Sequence, residues 1–352
     1  MKTTKDAIRD MIQADRRLLV HDFMKFCLDD PEFGYYQTQP VFGREGDFIT
    51  APEISQMFGE LVGLWLAQCW IEQGRAKSFT LLELGPGRGT LMADILRATS
   101  KVAGFHEAMT LCLFESSDRL RVQQRETLSR YAVKWETDLL ALPDLPLFFV
   151  ANEFFDALPI HQYQRTGDIW LEREVVINGD ELEFSMSRMP ARIPEIFHSR
   201  HDIADGDIIE FCPDAVRICS TLSTKIETHG GAGLIIDYGN WASRGDTLQA
   251  VKGHKSIGIF DAPGASDLTA HVDFAALAQS AVCAVSPMIP QGLFLERLGI
   301  TERANTLAEY LRDESLDIHI AAHKRLTHPD EMGTLFKAMA LYPTGQSRPA
   351  GF

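Results

Sequence analysis

A short apolar run followed by three alternating glycines is the sequence feature that most constrains the fold of this chain. The run Phe79–Leu84 has the length of a buried strand, and the turn Gly85–Gly89 follows it directly. Helical residues continue from Thr90 to Ala98. A short apolar run bounded by turn residues is typical of a strand that is covered on both faces. A strand, a glycine turn and a helix in this order predict a βα unit of a parallel sheet.

The same alternation recurs along the next part of the chain. Further strands are predicted at Met109–Glu115, Ala132–Trp135, Pro146–Ala151 and Gly233–Asp237, with helices at Asp118–Tyr131 and Pro213–Thr228. Strands that alternate with helices favour a sheet with helices on both faces. We therefore predict an α/β fold with a doubly wound, mostly parallel, Rossmann-like sheet, in which ligands bind at the carboxyl ends of the strands.

Two regions depart from this pattern. Residues 1–75 are predicted to be mainly helical, with a loop rich in Gly, Pro and aromatic residues at Pro31–Pro52. After Leu158, strand-like runs flank Asn178-Gly179, and this dipeptide favours a type I′ hairpin turn. The region that contains this hairpin is predicted to be an antiparallel insertion.

Charge and cysteine pattern exclude several classes of protein. The 352 residues carry a formal net charge of −15, which repels nucleic acid and anionic membranes. The six cysteines include no C-x-x-C pair, so neither a zinc site nor a disulfide framework is predicted, and a reducing cytoplasm is the expected location. No apolar run approaches the roughly 18 residues of a membrane span, and we expect no membrane insertion.

The spacing of the glycine turn narrows the ligand that it can hold. A dinucleotide fingerprint starting at Gly85 needs glycine where Thr90 stands, and a P-loop needs a lysine that is absent from the turn. What remains is acid-x-Gly-x-Gly-x-Gly, a spacing used for S-adenosyl-L-methionine, whose ammonium group suits the Glu83 carboxylate. The alternative is a turn that needs glycine for packing alone. The predicted cofactor-binding residues here are Glu83, Gly85, Pro86, Gly87 and Gly89.

Two further acidic residues follow predicted strands. Glu115 ends the second strand, where a carboxylate has acceptor sites for both ribose hydroxyls. Asp138 follows the third strand and is predicted to accept a hydrogen bond from the adenine amino group. The alternatives are a solvated acid at the strand end for Glu115 and a helix cap for Asp138.

Several segments together resemble one family of enzymes. They are Gly46–Ser55 with Phe58–Glu60, Glu83–Thr90, Asn152–Pro159 and Asp237–Gly239. These segments resemble the MidA-like family of class I S-adenosyl-L-methionine-dependent methyltransferases, which includes a mitochondrial complex I assembly factor that acts as a protein arginine methyltransferase. The resemblance implies a protein arginine N-methyltransferase that acts on a subunit of respiratory complex I or on its homologue.

The binding site for an acceptor arginine is expected to contain carboxylates. A guanidinium ion presents a planar fork of donors that a carboxylate binds in a bidentate manner. Glu153 and Asp156 lie just past the fourth strand and are the first choice for catalytic residues, and Asp237 is a further candidate at another strand end. The alternative for this segment is a helix cap at Asn152.

Asn152 and an N-terminal segment are predicted to complete the cofactor site. Asn152, with the aromatic residues that follow it, closes the cofactor pocket in this prediction. Thr50 and Asp47 supply hydrogen bonds from a lid, while Thr50 to Glu53 also matches an S/T-x-x-E capping box.

These interpretations divide the chain into three parts. Residues 1–75 form a helical segment and cofactor lid, residues 76–158 and 231–345 form the cofactor-binding domain, and residues 159–230 form an inserted substrate-recognition subdomain. A protein substrate is expected, with no metal and no nucleic acid, and a homodimer stays open. Two other functions also stay open: a small-molecule methyltransferase, and an assembly factor that binds the cofactor without turnover.

Overall fold

The computed structural model describes residues 2–15, 17–39, 50–198 and 200–352. Short 3-10 helices lie at Leu139–Ala141 and Glu195–Phe197. The α-helices are α1 Thr4–Asp15, α2 Val20–Asp29, α3 Tyr35–Thr38, α4 Ala51–Ile54, α5 Gln56–Glu72, α6 Thr90–Thr99, α7 Phe105–Ala108, α8 Asp118–Thr127, α9 Pro213–His229, α10 Phe274–Ser280, α11 Gln291–Arg297, α12 Ile300–Ala308, α13 Asp313–Thr327 and α14 Met332–Leu335.

The strands are short in most of the chain. They are β1 Leu18–Leu19, β2 Phe79–Leu84, β3 Met109–Phe114, β4 Val133–Glu136, β5 Leu147–Asn152, β6 His161–Thr166, β7 Ile169–Asn178, β8 Glu181–Pro190, β9 Ile208–Phe211, β10 Gly231–Asn240, β11 Gln249–Lys252, β12 Lys255–Ile257, β13 Asp267–Thr269, β14 Val272–Asp273, β15 Ala284–Val285, β16 Ile289–Pro290 and β17 Phe336–Tyr342.

The chain divides into two compact units. The sheet unit contains the described residues of Ile49–Phe155, Ile218–Gly239 and Ser280–Phe352. The antiparallel unit contains the described residues of Met1–Phe48, Asp156–Arg217 and Asn240–Gln279. The three-part division predicted from the sequence stays a prediction.

The sheet unit has the predicted α/β architecture. Its strands follow the order β15-β17-β10-β5-β2-β3-β4. The pairs β2–β3, β2–β5, β3–β4 and β5–β10 are parallel, and β17 pairs with β10 in the antiparallel direction. Leu84 at the end of β2 is in register with both Phe114 and Ala151, so three carboxyl ends lie at one edge. This confirms the predicted mostly parallel sheet.

Close packing of helix on sheet explains why these runs form buried strands. All residues of β2 and β5 are buried. Phe79 packs edge-on against Phe148, with ring centroids 5.3 Å apart, and tilted against Phe105 at 4.9 Å. Continuous apolar strands of this kind need cover on both faces, which is the reason the pattern predicted them correctly.

The antiparallel unit contains a sheet of order β1-β7-β6-β9, with β8 paired to β7, and a second sheet of order β12-β11-β13. The predicted hairpin exists, but its predicted type I′ turn is wrong. Asn178 pairs with Glu181, so the turn residues are Gly179 and Asp180. Only Gly179 of these two has positive φ, at 61°. Glycine with positive φ at the first central position is typical of a type II′ turn.

Two other differences concern the helices predicted near the N-terminus. Residues 1–75 were predicted to be mainly helical, but Leu18 and Leu19 pair with β7 as a short strand. Helices α4 and α5 are separated at Ser55. The Ser55 hydroxyl accepts a hydrogen bond from Met57 N–H at 3.2 Å and so caps a new helix.

Within the described residues, no helix has both the length and the apolar character that crossing a bilayer requires.

Candidate active site

The glycine turn adopts a backbone that other residues rarely tolerate. Gly85, Gly87 and Gly89 have φ values of 62°, 51° and 83°, all in the left-handed region. The Gly89 N–H donates to the Pro86 carbonyl at 2.7 Å, which closes the turn before α6 begins. A Cβ atom on Gly85 would lie 2.9 Å from Cδ2 of Phe154. Glycine is therefore needed here for both the backbone conformation and the space beside Phe154.

Glu83 is a buried carboxylate at the end of β2. Glu83 is only 3% exposed. Its Oε2 atom has no hydrogen-bond partner among the described residues. Burial raises the pKa of Glu83 against the opposing effect of the Met92 N–H, and together with the negative charge of Glu115 it brings the pKa to about 8. Because buried polar atoms are almost always paired, this acceptor indicates a place for a donor that the described residues do not supply.

Asn152 presents a second acceptor at the end of the neighbouring strand β5. Its Nδ2 donates to Glu153 Oε1 at 3.2 Å, whereas its buried Oδ1 has no partner in the described part of the chain. Strands β2 and β5 are adjacent and parallel, with Glu83 in register with Val150. Two unused acceptors at adjacent strand ends fit a group with several N–H donors, such as an ammonium ion.

Glu115 directly follows β3 and is also buried. Its Oε1 accepts the Ser117 N–H at 2.8 Å, and its Oε2 accepts Gln124 Nε2 at 3.1 Å. Burial raises the pKa of Glu115, and these two hydrogen bonds act in the opposite direction. A carboxylate has about four acceptor positions, so Glu115 keeps capacity for the two hydroxyls of a ribose.

Gln124 is a site residue that the sequence analysis missed. Its side chain is fully buried and donates to the Gly87 carbonyl at 2.8 Å and to Glu115. It also accepts Trp135 Nε1 at 2.7 Å. Gln124 thereby ties the glycine turn to Glu115 and to β4. The available signal was a polar residue four positions after Leu120, which places it on the buried face of α8.

Asp138 is exposed and caps a 3-10 helix. Its Oδ1 accepts the Leu140 N–H at 2.9 Å. The helix cap considered as the alternative is therefore present in the structure. Its contact with an adenine amino group stays a prediction.

Thr50 lies at the start of α4, and the predicted capping box is wrong. The Thr50 side chain makes no capping hydrogen bond. Instead, Glu53 Oε1 accepts the Thr90 hydroxyl at 2.8 Å, and Glu53 Oε2 lies 3.9 Å from Arg88 Nη1. Glu53 contacts the glycine turn because the side chains of Thr90 and Arg88 provide hydrogen-bond donors to its carboxylate. Asp47 lies outside the described residues, and the role of Thr50 in a lid stays a prediction.

Glu153 has an unusual backbone for its residue type. Its φ is 51°, in the left-handed region that non-glycine residues seldom adopt. Its Oε1 accepts the Ala51 N–H at 3.2 Å in addition to Asn152 Nδ2. Strained backbone of this kind persists where the surroundings hold it, and it is concentrated at functional sites.

Asp237 is fully buried on β10 and holds the segment after β5. Its Oδ2 accepts the Phe155 N–H at 3.0 Å, and its Oδ1 accepts the Tyr238 N–H at 2.9 Å. Both contacts are to backbone groups. The arrangement gives Asp237 a part in positioning the turn that carries Glu153, and a direct catalytic role stays a prediction.

Asp156 belongs to the antiparallel unit, whereas Glu153 belongs to the sheet unit. Asp156 is 6% exposed, and its backbone carbonyl accepts the Ala270 N–H at 2.9 Å. Over the described residues, no group of three or more His, Cys, Asp or Glu side chains is arranged to hold a metal ion.

Comparison with known proteins gives consistent matches. Residues 61–290 match the profile of a family described as "putative S-adenosyl-L-methionine-dependent methyltransferase". The mouse (Mus musculus) protein arginine methyltransferase NDUFAF7, mitochondrial, is 37% identical, over 94% of this chain and 82% of the relative. The human (Homo sapiens) protein of the same name is 36% identical, over 94% of this chain and 81% of the relative.

A solved structure is similar over almost the whole chain. It is a COG1565 superfamily member from Burkholderia thailandensis bound to S-adenosyl-homocysteine. The TM-score is 0.84 at 26% sequence identity, with 99% of this chain and 93% of the other covered.

One sequence prediction is overturned by these matches. The curated relatives are named mitochondrial proteins, which contradicts the predicted cytoplasmic location. The prediction rested on scattered cysteines, and all six are indeed free. Free thiols indicate reducing surroundings, but they do not identify a compartment.

Proposed function

Since this chain belongs to the S-adenosyl-L-methionine-dependent methyltransferase family and S-adenosyl-L-methionine is its cofactor, we propose that it methylates arginine side chains of a protein. The relatives that match most of its length are named protein arginine methyltransferases. The pair of unused acceptors, Glu83 Oε2 and Asn152 Oδ1, carries the structural part of the proposal. They suit the ammonium end of this cofactor.

The other predicted cofactor-binding residues contact the rest of the cofactor in this proposal. Glu115 binds the ribose hydroxyls with the acceptor positions that Ser117 and Gln124 leave open. Gly85 and Gly87 have positive φ values, and without a Cβ atom they let the backbone approach the ligand. The turn is followed directly by α6, so the first N–H groups of that helix face the same edge.

When bound, the cofactor supplies a methyl group on a positively charged sulfur, which becomes a neutral thioether after transfer. The protein's contribution is to align the acceptor and to exclude water. A guanidinium ion is protonated at neutral pH, with a pKa above about 12. Glu153 orients the fork of N–H donors, and its carboxylate takes the proton that leaves as the nitrogen gains the methyl group. Asp156 remains a further proposed catalytic carboxylate. Asp237 positions the segment through its two backbone contacts.

We further propose that the acceptor protein is a subunit of respiratory complex I or its homologue. This part rests on the family resemblance of the sequence segments described above. A homodimer stays a prediction, which the mass of the purified protein in solution tests.

The proposed function predicts that labelled methyl from S-adenosyl-L-methionine enters protein in a lysate of cells that lack this gene. The wild-type protein should label a protein band, and mass spectrometry should locate the label on arginine. Gly87→Val should abolish labelling, because φ at Gly87 is 51° and the turn must accept the ligand.

The matched control is Gly179→Val, which places the same side chain at a φ of 61° in the hairpin turn, with open space around it. It should label as the wild type does. Measurable cofactor binding without any protein label would contradict the proposal and favour a small-molecule acceptor or an assembly role.

A further inference from the structure

Gln124 joins a backbone carbonyl of the glycine turn to the carboxylate of Glu115. Its Nε2 donates to the Gly87 carbonyl at 2.8 Å and to Glu115 Oε2 at 3.1 Å. A carbonyl oxygen and a carboxylate oxygen repel each other, but a group with two N–H donors can bind both. The side-chain amide of Gln124 is such a group. It therefore holds together two parts of the cofactor site that follow different strands of the sheet.

Trp135 on β4 fixes the orientation of this amide. The Trp135 indole N–H donates to Gln124 Oε1 at 2.7 Å. An indole N–H is a donor only, so it selects the oxygen end of the amide. Both hydrogens of Gln124 Nε2 are then directed to Gly87 and Glu115. The guanidinium group of Arg125 lies 4.8 Å from the centroid of the Trp135 ring and helps to hold the indole in place.

Helix α8 also holds Glu115 by its backbone and packs against the glycine turn. Arg121 Nε donates to the Glu115 carbonyl at 3.0 Å, and the N–H of the helix-capping residue Ser117 donates to Glu115 Oε1 at 2.8 Å. Arg121 and Gln124 are three positions apart, so they lie on the same side of the helix. An ideal Cβ atom on Gly89 would lie 3.7 Å from the Cα atom of Gln124. One helix therefore contacts both parts of the site.

Burial makes the hydrogen bond between Gln124 and Glu115 important for the charge of the carboxylate. Gln124 is fully buried and Glu115 is 8% exposed. Burial raises the pKa of Glu115, whereas the hydrogen bonds from Ser117 and Gln124 and the charge of Arg121 lower it. An ionised carboxylate is a stronger acceptor for a hydroxyl group than a neutral carboxylic acid is. Gln124 thus favours the form of Glu115 that binds hydroxyl groups best.

We propose that Gln124 is a positioning residue for the cofactor, which holds the Glu115 carboxylate and the glycine turn in the arrangement that the ribose hydroxyls require. This inference rests on the proposed role of Glu115 and does not depend on the methyl acceptor. Gln124 acts on the ribose through Glu115. Its loss should therefore weaken recognition of the ribose hydroxyls more than recognition of the rest of the ligand.

Calorimetric titration of the full-length protein at neutral pH tests this role with two ligands. They are S-adenosyl-homocysteine and its 2′-deoxy counterpart, S-(2′-deoxyadenosyl)-homocysteine. The ratio of their dissociation constants measures recognition of the 2′-hydroxyl within one protein. For the wild type, the 2′-deoxy ligand should bind about 10- to 100-fold more weakly, because it lacks a hydrogen bond to a charged acceptor.

In Gln124→Glu the ratio should fall to less than about threefold, because the new side chain has no N–H donor and adds a second carboxylate beside Glu115. The new side chain has almost the same shape and still offers an oxygen to Trp135. The matched control is Gln123→Glu, the same change at the preceding, partly exposed position of α8, which should keep the wild-type ratio.

Trp135→Phe tests the same role without changing Gln124 and serves if Gln124→Glu does not fold. It keeps both donors of the amide but removes the indole N–H that orients them. The ratio should lie between those of the wild type and Gln124→Glu. A wild-type ratio in Trp135→Phe would overturn the positioning role.

The ratio separates positioning from a general effect on stability. A structural role would weaken both ligands equally, so an unchanged ratio in Gln124→Glu overturns the inference, whether or not both affinities fall. A wild-type ratio close to one overturns the role of Glu115 and this inference with it. No methyl group is transferred in these titrations. An absence of arginine label with wild-type protein therefore overturns the proposed arginine methylation and leaves the role of Gln124 standing.

Discussion

Burial sets the protonation state of Glu83, and this state decides how the residue can receive a cation. Its carboxylate is enclosed at the end of β2, and burial together with Glu115 raises its pKa to about 8. Below that pH, the residue holds a proton in the absence of a ligand. An adjacent ammonium ion favours the charged carboxylate and lowers the pKa again. Binding of a cationic ligand must therefore release a proton from Glu83.

This linkage predicts that cofactor affinity increases with pH. The pKa of the free site is about 8 and that of the occupied site is lower, so the protein binds fewer protons in the complex. The association constant should rise by up to about one log unit per pH unit between the two values. Calorimetric titration below about pH 7.5 keeps the ligand's own α-amino group mainly protonated.

The matched variant Glu83→Gln has no titrating group at position 83. Its affinity for the cofactor should therefore depend less on pH. Calorimetry in buffers of different ionisation enthalpy should show proton release for the wild type and less for the variant. An association constant that does not change with pH in the wild type would contradict the assignment.

At the residue scale, the sequence predicted the positions of several site residues correctly, but it did not predict their hydrogen-bond partners. Glu83 and Glu115 were found because they stand at predicted strand ends. Glu53 was assigned to a cap, but it bonds to Thr90, since a local motif cannot reveal a donor 37 residues away. Gln124 was missed because its partners come from separate elements, which only the fold brings together.

At the element scale, the approach of α5 to α6 supports the glycine turn. Ideal Cβ atoms on Gly59 and Gly63 would lie 2.5 Å from Asp94 Cβ and 2.9 Å from Ile95 Cα. These glycines let the two helices approach more closely than larger side chains would allow. Since α6 begins at the glycine turn, its position fixes the turn as well.

Gly63→Val should lower the free energy of unfolding by at least about 2 kcal/mol, because the new side chain meets backbone that cannot move aside. Urea denaturation at constant cofactor concentration measures this change. Leu64→Val places the same residue at the next position, where the side chain is 47% exposed, and should change stability by less than about 1 kcal/mol. Equal stability of the two variants would show that the helices do not depend on this close approach.

Prediction of the elements succeeded where the pattern is local. The buried strands β2 and β5 have mainly apolar sequences, and helix α6 after β2 begins at the predicted residue Thr90. The antiparallel strand β17 and the helix α13 were not predicted. Strand β17 takes its place by pairing with β10, a strand almost one hundred residues earlier, and local periodicity carries no information on such pairing. The hairpin turn was misplaced by one residue for a similar reason, since the register of β7 and β8 decides it.

At the scale of the whole molecule, the order of strands and helices predicted the fold correctly. The cysteine composition led to a wrong prediction of the cellular compartment. Alternating strands and helices with a glycine turn were sufficient for the α/β class and for the cofactor. Cysteine usage was not sufficient for the compartment, because a property shared by all reducing surroundings cannot distinguish among them. The acceptor was not derivable from composition either, since a net charge of −15 suits many partners.

The central claim is that acceptors from two neighbouring strands hold the amino-acid end of the cofactor. The most direct test compares the dissociation constants of S-adenosyl-L-methionine and of 5′-methylthioadenosine, which lacks that end. Glu83→Gln should weaken binding of the whole cofactor by about 10- to 100-fold, because the negative charge that strengthens the hydrogen bond to the ammonium group is lost. It should leave binding of 5′-methylthioadenosine within about twofold of the wild type, since Glu115 and the glycine turn are intact. The exposed variant Glu126→Gln should change neither constant. Equal losses for both ligands, or no loss for either, would contradict the claim.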